Sequence, residues 1–111
     1  KGRPWDLGKN FERAAVLAPI VRKEAFGPVG GQRIALSVGG VERQASSLDE
    51  MAWSVPELVS HLSRLYRLAP GDLIYTGTPA GVAAVVPGDR LTGTIDGLPP
   101  VELTIGALET A

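Results

Sequence analysis

The stretch Pro70 to Val82, PGDLIYTGTPAGV, constrains this chain more than any other. Pro70-Gly71-Asp72 is turn chemistry, Leu73-Ile74-Tyr75 is a short apolar and β-prone run, and Thr76-Gly77-Thr78-Pro79-Ala80-Gly81 cannot continue as an ordinary strand. The order predicts a strand that ends in a tight loop exposing its backbone. Glycines at 77 and 81 allow that loop to approach a ligand closely, while Thr76 and Thr78 bring hydroxyl donors and acceptors. The same letters also describe a plain Gly-Pro turn with a structural role only, and composition leaves both readings open.

The rest of the chain reads as β structure with one helix. Lys1 to Phe11 is a loop anchored by Trp5, Ala14 to Val21 is apolar but broken by Pro19 and reads as an edge strand or extended segment rather than a helix, and Phe26 to Gln32 is a loop. Ile34, Leu36 and Val38 then alternate with Ala35 and Ser37, Gly39-Gly40 turns the chain, and Val41 to Gln44 returns as a more polar strand. A second hairpin is expected at the end, where Leu91 and Ile95 alternate with Thr92 and Thr94, Asp96-Gly97 turns, and Val101, Leu103 and Ile105 alternate with Glu102 and Thr104. Gly93 in mid-strand suggests a bulge or bend. Pro87-Gly88-Asp89 repeats the Pro-Gly-Asp turn that precedes Leu73, and a strand is expected after each. Between the hairpins, Ser46 to Asp49 is a turn. Ser54 with Glu57 forms a capping box that opens a helix carrying Val55, Leu58, Val59, Leu62, Leu65 and Tyr66 on one face. Pro70-Gly71 stops it.

Composition limits the function. A chain of 111 residues is one domain at most, and 44% hydrophobic residues exclude a disordered chain. Eleven basic residues face twelve acidic ones without a basic stripe, so neither nucleic acid nor a membrane is expected as a partner. The absence of cysteine removes thiolate chemistry and disulfides, and fits a cytoplasmic protein. His61, the single histidine, falls on the flank of the helix, and no Gly-x-Ser-x-Gly elbow accompanies it, so a Ser-His-Asp triad is not expected. A phosphate loop is excluded because the Thr76–Gly81 loop lacks a Gly-Lys-Ser/Thr end. The acidic residues are scattered, with only Asp49 and Glu50 adjacent, so the chain contributes no readable metal site. Lys9, between Gly8 and Phe11, is a candidate for meeting an anionic substrate, or else a solvated surface lysine. A start at Lys1, with no element ahead of the first motif, suggests a piece of a longer chain.

Taken together, Lys1 to Phe11 (KGRPWDLGKNF), the Val38-Gly39-Gly40 turn, Arg43-Gln44, the turn from Asp49 to Met51, Leu68 to Val82 and Pro87-Gly88-Asp89 resemble the C-terminal half of the fumarylacetoacetate hydrolase family, with the acylpyruvase and fumarylpyruvate hydrolase branch most similar. The resemblance implies a mainly β, α+β fold, the mixed β-sandwich roll of that domain, with residues 1–111 as its C-terminal part. It implies an enzyme that hydrolyses a carbon-carbon bond in a β-diketo acid, acts as a homodimer or other homo-oligomer, and uses Mg2+, Mn2+ or Ca2+. By the same resemblance Lys9 meets the substrate's developing charge, Thr78 binds a substrate oxygen and Gly77 shapes the loop. The family's metal carboxylates come from a Glu-x-Glu motif and a later Asp, and its water-activating His-Glu pair lies upstream too; no Glu-x-Glu occurs here, so the chain by itself is expected to be inactive. Where relatives often carry a small hydroxylated residue four or five positions after the lysine, this chain has Arg13 and Ala14. Two alternatives stand beside hydrolysis: decarboxylation or isomerisation of related keto acids, and a non-catalytic β-domain that binds a partner or small molecule.

Overall fold

The computed structural model describes residues 12–107. Its frame is a four-stranded antiparallel sheet of β1 (Arg33–Val38), β2 (Val41–Ser47), β3 (Arg90–Ile95) and β4 (Val101–Thr104), in the order β2-β1-β3-β4. Both expected hairpins form, and they join through β1 and β3, whose register runs from Ile34 opposite Ile95 to Val38 opposite Leu91. Gly39 and Gly40 take φ values of 58° and 82°, the paired left-handed conformations that a two-residue turn matched to the sheet's twist requires.

Register assigns the faces. Ile34, Leu36 and Val38 share one side of the sheet with Leu91, Gly93, Ile95, Val101 and Leu103, while Ala35, Ser37, Thr92, Thr94 and Glu102 occupy the other. Gly93 lies within a regular ladder, opposite Leu36 on one side and Val101 on the other, and is neither a bulge nor a bend. Its missing side chain instead leaves space on the apolar face. The irregularity falls on β2, where the register passes from Leu36 opposite Gln44 to Ser37 opposite Glu42 and leaves Arg43 as the extra residue of a β-bulge.

The helices are α1, a single turn over Lys23–Phe26 that ends where the expected Phe26–Gln32 loop begins, and α2 (Val55–Leu65). Ser54 caps α2: its hydroxyl accepts from the Glu57 amide at 3.3 Å, and the Glu57 carboxylate accepts from the Ser54 amide at 2.9 Å. A 3-10 turn over Leu48–Glu50 links β2 to this helix. Leu73–Tyr75, expected as a strand, and Ala14–Val21, expected as an edge strand or extended segment, do not join the sheet. One cross-connection ties them together, the Tyr75 hydroxyl donating to the Val16 carbonyl at 3.0 Å.

The two Pro-Gly-Asp turns share one construction. Gly71 and Gly88 have φ of 97° and 91°, as the third position of a type II turn needs. Asp72 closes its turn by donating its amide to Ala69 O and accepting the Ala69 amide on its carboxylate. Asp89 does the same with Val86. Only the second turn feeds a strand: β3 pairs with β1, whereas Leu73–Tyr75 pairs with none of the four strands.

Burial is thin. Among the described residues the only buried apolar side chains are Ala35 and Val38, on opposite faces of β1, and Gln44 is the one buried polar residue.

Candidate functional site

The loop Thr76–Gly81 lies over the apolar face of the sheet, and its attachment begins with the bulge. In a regular strand Gln44 would stand opposite Ala35 on the polar face. The extra residue Arg43 shifts it opposite Leu36, so its amide points into the space beneath the loop. There Gln44 is 8% exposed, and its Nε2 donates to Thr78 Oγ1 at 2.9 Å and to the Pro79 carbonyl at 2.6 Å. A carbonyl only accepts, so the contact with Pro79 fixes which end of the amide faces the loop. Leaving such a buried amide unpaired costs about 1–3 kcal/mol, which makes this pair of bonds a real restraint on the loop.

Gly81 provides the second attachment. Its φ is 107°, and a β-carbon there would collide with the Arg43 carbonyl oxygen and crowd the Gln44 side chain. Gly77 also has φ of 107°, but the space around it is open. Of the two glycines, the first keeps the loop against the sheet and the second bends it.

Two cavities flank the Thr78-Pro79 segment. The smaller, about 180 Å³, is bounded by Thr76 to Pro79, Ile34, Ser46, Ser47, Leu48 and Met51. The larger, about 400 Å³, runs along the apolar face over Ile34, Leu36 and the gap at Gly93, with Gln44, Thr78 and Pro79 as its polar wall. A polar group set at the edge of an apolar cleft is the common plan of a small-molecule site.

Acidic groups near the smaller cavity are engaged locally. Ser46 Oγ donates to Glu50 at 2.6 Å, and Ser47 Oγ donates to Asp49. Among the described residues no group of three or more His, Cys, Asp or Glu side chains converges to hold a metal ion, so these residues do not fit the family's cation. His61 stays outside the site, exposed on α2 and edge-on to Trp53 with ring centres 5.7 Å apart. The Glu57 carboxyl, held below its ordinary value by hydrogen bonds with Ser54, belongs to the helix cap.

Of the expected site residues, Gly77 and Thr78 come together on the loop that faces the cavity, and Lys9 lies outside the described residues. Gln44 is the addition. Its letter stood in the Arg43-Gln44 motif, but a glutamine in a polar strand reads as a solvent-facing residue unless the bulge is known.

The family model "Fumarylacetoacetate (FAA) hydrolase C-terminal" matches residues 1–106. A fumarylpyruvate hydrolase of Ralstonia sp is 47% identical over 109 residues, covering 98% of this chain and 56% of the relative. A mitochondrial oxaloacetate tautomerase of Rattus norvegicus is 39% identical over 98 residues, covering 88% of this chain and 44% of that protein. In structure, the fumarylpyruvate hydrolase of Pseudomonas aeruginosa in complex with Mn2+ and pyruvate superposes with a TM-score of 0.87 at 45% identity, covering 95% of this chain and 45% of its own. The chain thus spans about half the length of the relatives it matches.

Proposed function

Since this chain belongs to the fumarylacetoacetate hydrolase family, we propose that it is the C-terminal part of an enzyme that hydrolyses a carbon-carbon bond in a β-diketo acid of the fumarylpyruvate or acylpyruvate type. The observation that carries this reading is the Thr76–Pro79 loop, pinned over a cleft with the Thr78 hydroxyl at its polar edge. Thr78 donates to a substrate oxygen, Gly77 gives the loop its bend, and the Lys9 ammonium meets the negative charge that develops as the carbon leaving group departs. The cation's carboxylates and the water-activating pair come from the part of the protein that relatives have and this chain does not span. Mg2+ or Mn2+ is the expected ion. Open edges at β2 and β4 among the described residues support assembly into a homodimer, and the absence of cysteine supports a cytoplasmic location. Among the described residues no helix is long and apolar enough to cross a membrane.

Isomerisation is the second reading, because the tautomerase relative is also well matched. One assay separates the two. The full-length protein with Mn2+ is given fumarylpyruvate and short acylpyruvates in one series and oxaloacetate in the other. Hydrolysis releasing pyruvate is the expected result; interconversion of enol and keto oxaloacetate without cleavage of the first series would select the tautomerase. The isolated 111-residue chain is expected to be inactive in both.

A further inference from the structure

We propose that Gln44 is a positioning residue that sets both the place and the hydrogen-bond polarity of Thr78. The inference rests on the reading of Thr78 as a substrate contact, and follows from counting hydrogens. An amide nitrogen carries two, and Gln44 commits one to the Pro79 carbonyl and the other to Thr78 Oγ1. With its oxygen already accepting, the Thr78 hydroxyl keeps its own hydrogen for a ligand. The site therefore presents a donor toward the cleft, which suits a carboxylate or enolate oxygen.

The geometry behind this is specific. Gln44 is buried, it reaches this face only because Arg43 is bulged out of register, and Gly81 holds the far end of the loop against the Arg43 carbonyl. Bulge, amide and glycine form one device, with the bulged residue meeting the loop through its backbone and the next residue through its side chain.

The test uses the full-length protein and two readouts. In the ligand-free protein, hydrogen exchange of the Gly77, Thr78, Ala80 and Gly81 amides is compared between wild type and Gln44→Met. Exchange about tenfold faster in this loop, with α2 amides unchanged, is expected from the loss of a hydrogen bond of ordinary strength. Unchanged exchange in the loop overturns the inference. Pyruvate affinity in the presence of Mn2+ is then measured for Gln44→Met, Gln44→Glu, Thr78→Val and Gln44→Met/Thr78→Val. Gln44→Met should weaken pyruvate binding about tenfold in the wild-type background and hardly at all once Thr78 is valine. Equal losses in both backgrounds overturn the coupling. A glutamate at position 44 accepts from Thr78 instead of donating to it. Affinity in Gln44→Glu should therefore recover in part as pH falls, since the protonated carboxyl has one hydrogen for the two acceptors Thr78 Oγ1 and Pro79 O, while the wild type shows no such recovery. A flat profile that follows wild type counts against the polarity argument. Faster loop exchange in Gln44→Met, together with pyruvate binding that ignores Thr78→Val, would leave the loop restraint standing and instead remove Thr78 from the substrate site.

Discussion

Gly81 faces the backbone carbonyl of Arg43 so closely that a β-carbon would overlap its oxygen, which brings the end of the Thr76–Gly81 loop onto the bulge of β2. Its φ of 107° is a second demand for glycine at the same place. Gly77 shares that φ but has open space where a β-carbon would go, which separates the two costs. Gly77→Ala is expected to destabilise the full-length protein by about 1–3 kcal/mol through backbone strain alone. Gly81→Ala should exceed it by roughly another 2 kcal/mol, because the obstructing atom belongs to a strand and cannot turn aside. Urea unfolding of the two variants side by side measures the difference, and equal losses would show that the loop moves off the sheet freely.

A second prediction concerns the start of α2. The Glu57 carboxyl is held below its ordinary value, first by the Ser54 amide that donates to it and then by the Ser54 hydroxyl, against a small opposing effect of burial. A carboxyl with a depressed value in the folded state contributes stability above its unfolded pKa and loses that contribution as pH falls through the folded one. Helix α2 should therefore fray on acidification below the usual glutamate range, and Glu57→Gln should flatten that dependence. Ser54→Ala removes the hydroxyl that accepts from the Glu57 amide, and should cost about 1 kcal/mol at neutral pH. Carbon-detected titration of Glu57 by NMR, with thermal melts across pH, checks both.

What could be read from the residues and what could not divides along a physical line. The hairpins were legible because Ile34, Leu36 and Val38 alternate and Gly39-Gly40 supplies its own turn, both local properties. The capping box at Ser54 and Glu57 was legible for the same reason. Leu73–Tyr75 has the residues of a strand, yet a strand exists only where the fold brings a partner's ladder alongside, and this segment pairs with none of the four strands. Gln44 was hidden by a single inserted residue: the bulge at Arg43 inverts which face it serves, and period-two reading has no access to an insertion made by three-dimensional packing. Within the site, the loop of Gly77 and Thr78 was visible from its glycines, while the amide that holds it was not.

Lys9 gives a prediction from sequence, since it lies outside the described residues. If its ammonium meets the charge that develops on the leaving carbon acid, Lys9→Met should lower kcat by about 10²–10³-fold in the full-length enzyme, the range for removing one preorganised donor. Lys9→Arg should rescue little, because a planar guanidinium does not replace a compact ammonium at such a point. Steady-state kinetics decide it. A change confined to KM would make Lys9 a contact for the bound ground state only.

The last prediction comes from the surface. Ile20 is 80% exposed, Val82 74%, Tyr66 66% and Leu65 64%, and Val55 and Val59 on the apolar face of α2 are exposed as well. A face that would stabilise a fold by about 1.5–3 kcal/mol for each large side chain fully covered is here left to water, and Ala35 and Val38 are the only buried apolar side chains among the described residues. Exposed alone, the 111-residue chain should bind a hydrophobic dye, unfold without a sharp transition and self-associate with rising concentration. The full-length protein should do none of these to the same extent. Val59→Glu with Leu65→Lys should weaken self-association of the isolated chain about tenfold or more by sedimentation, since each replaces exposed apolar area with charge. A sharply melting, dye-free monomer of the isolated chain would mean that this half closes its own core, and that the open faces of α2 and the sheet serve no second half.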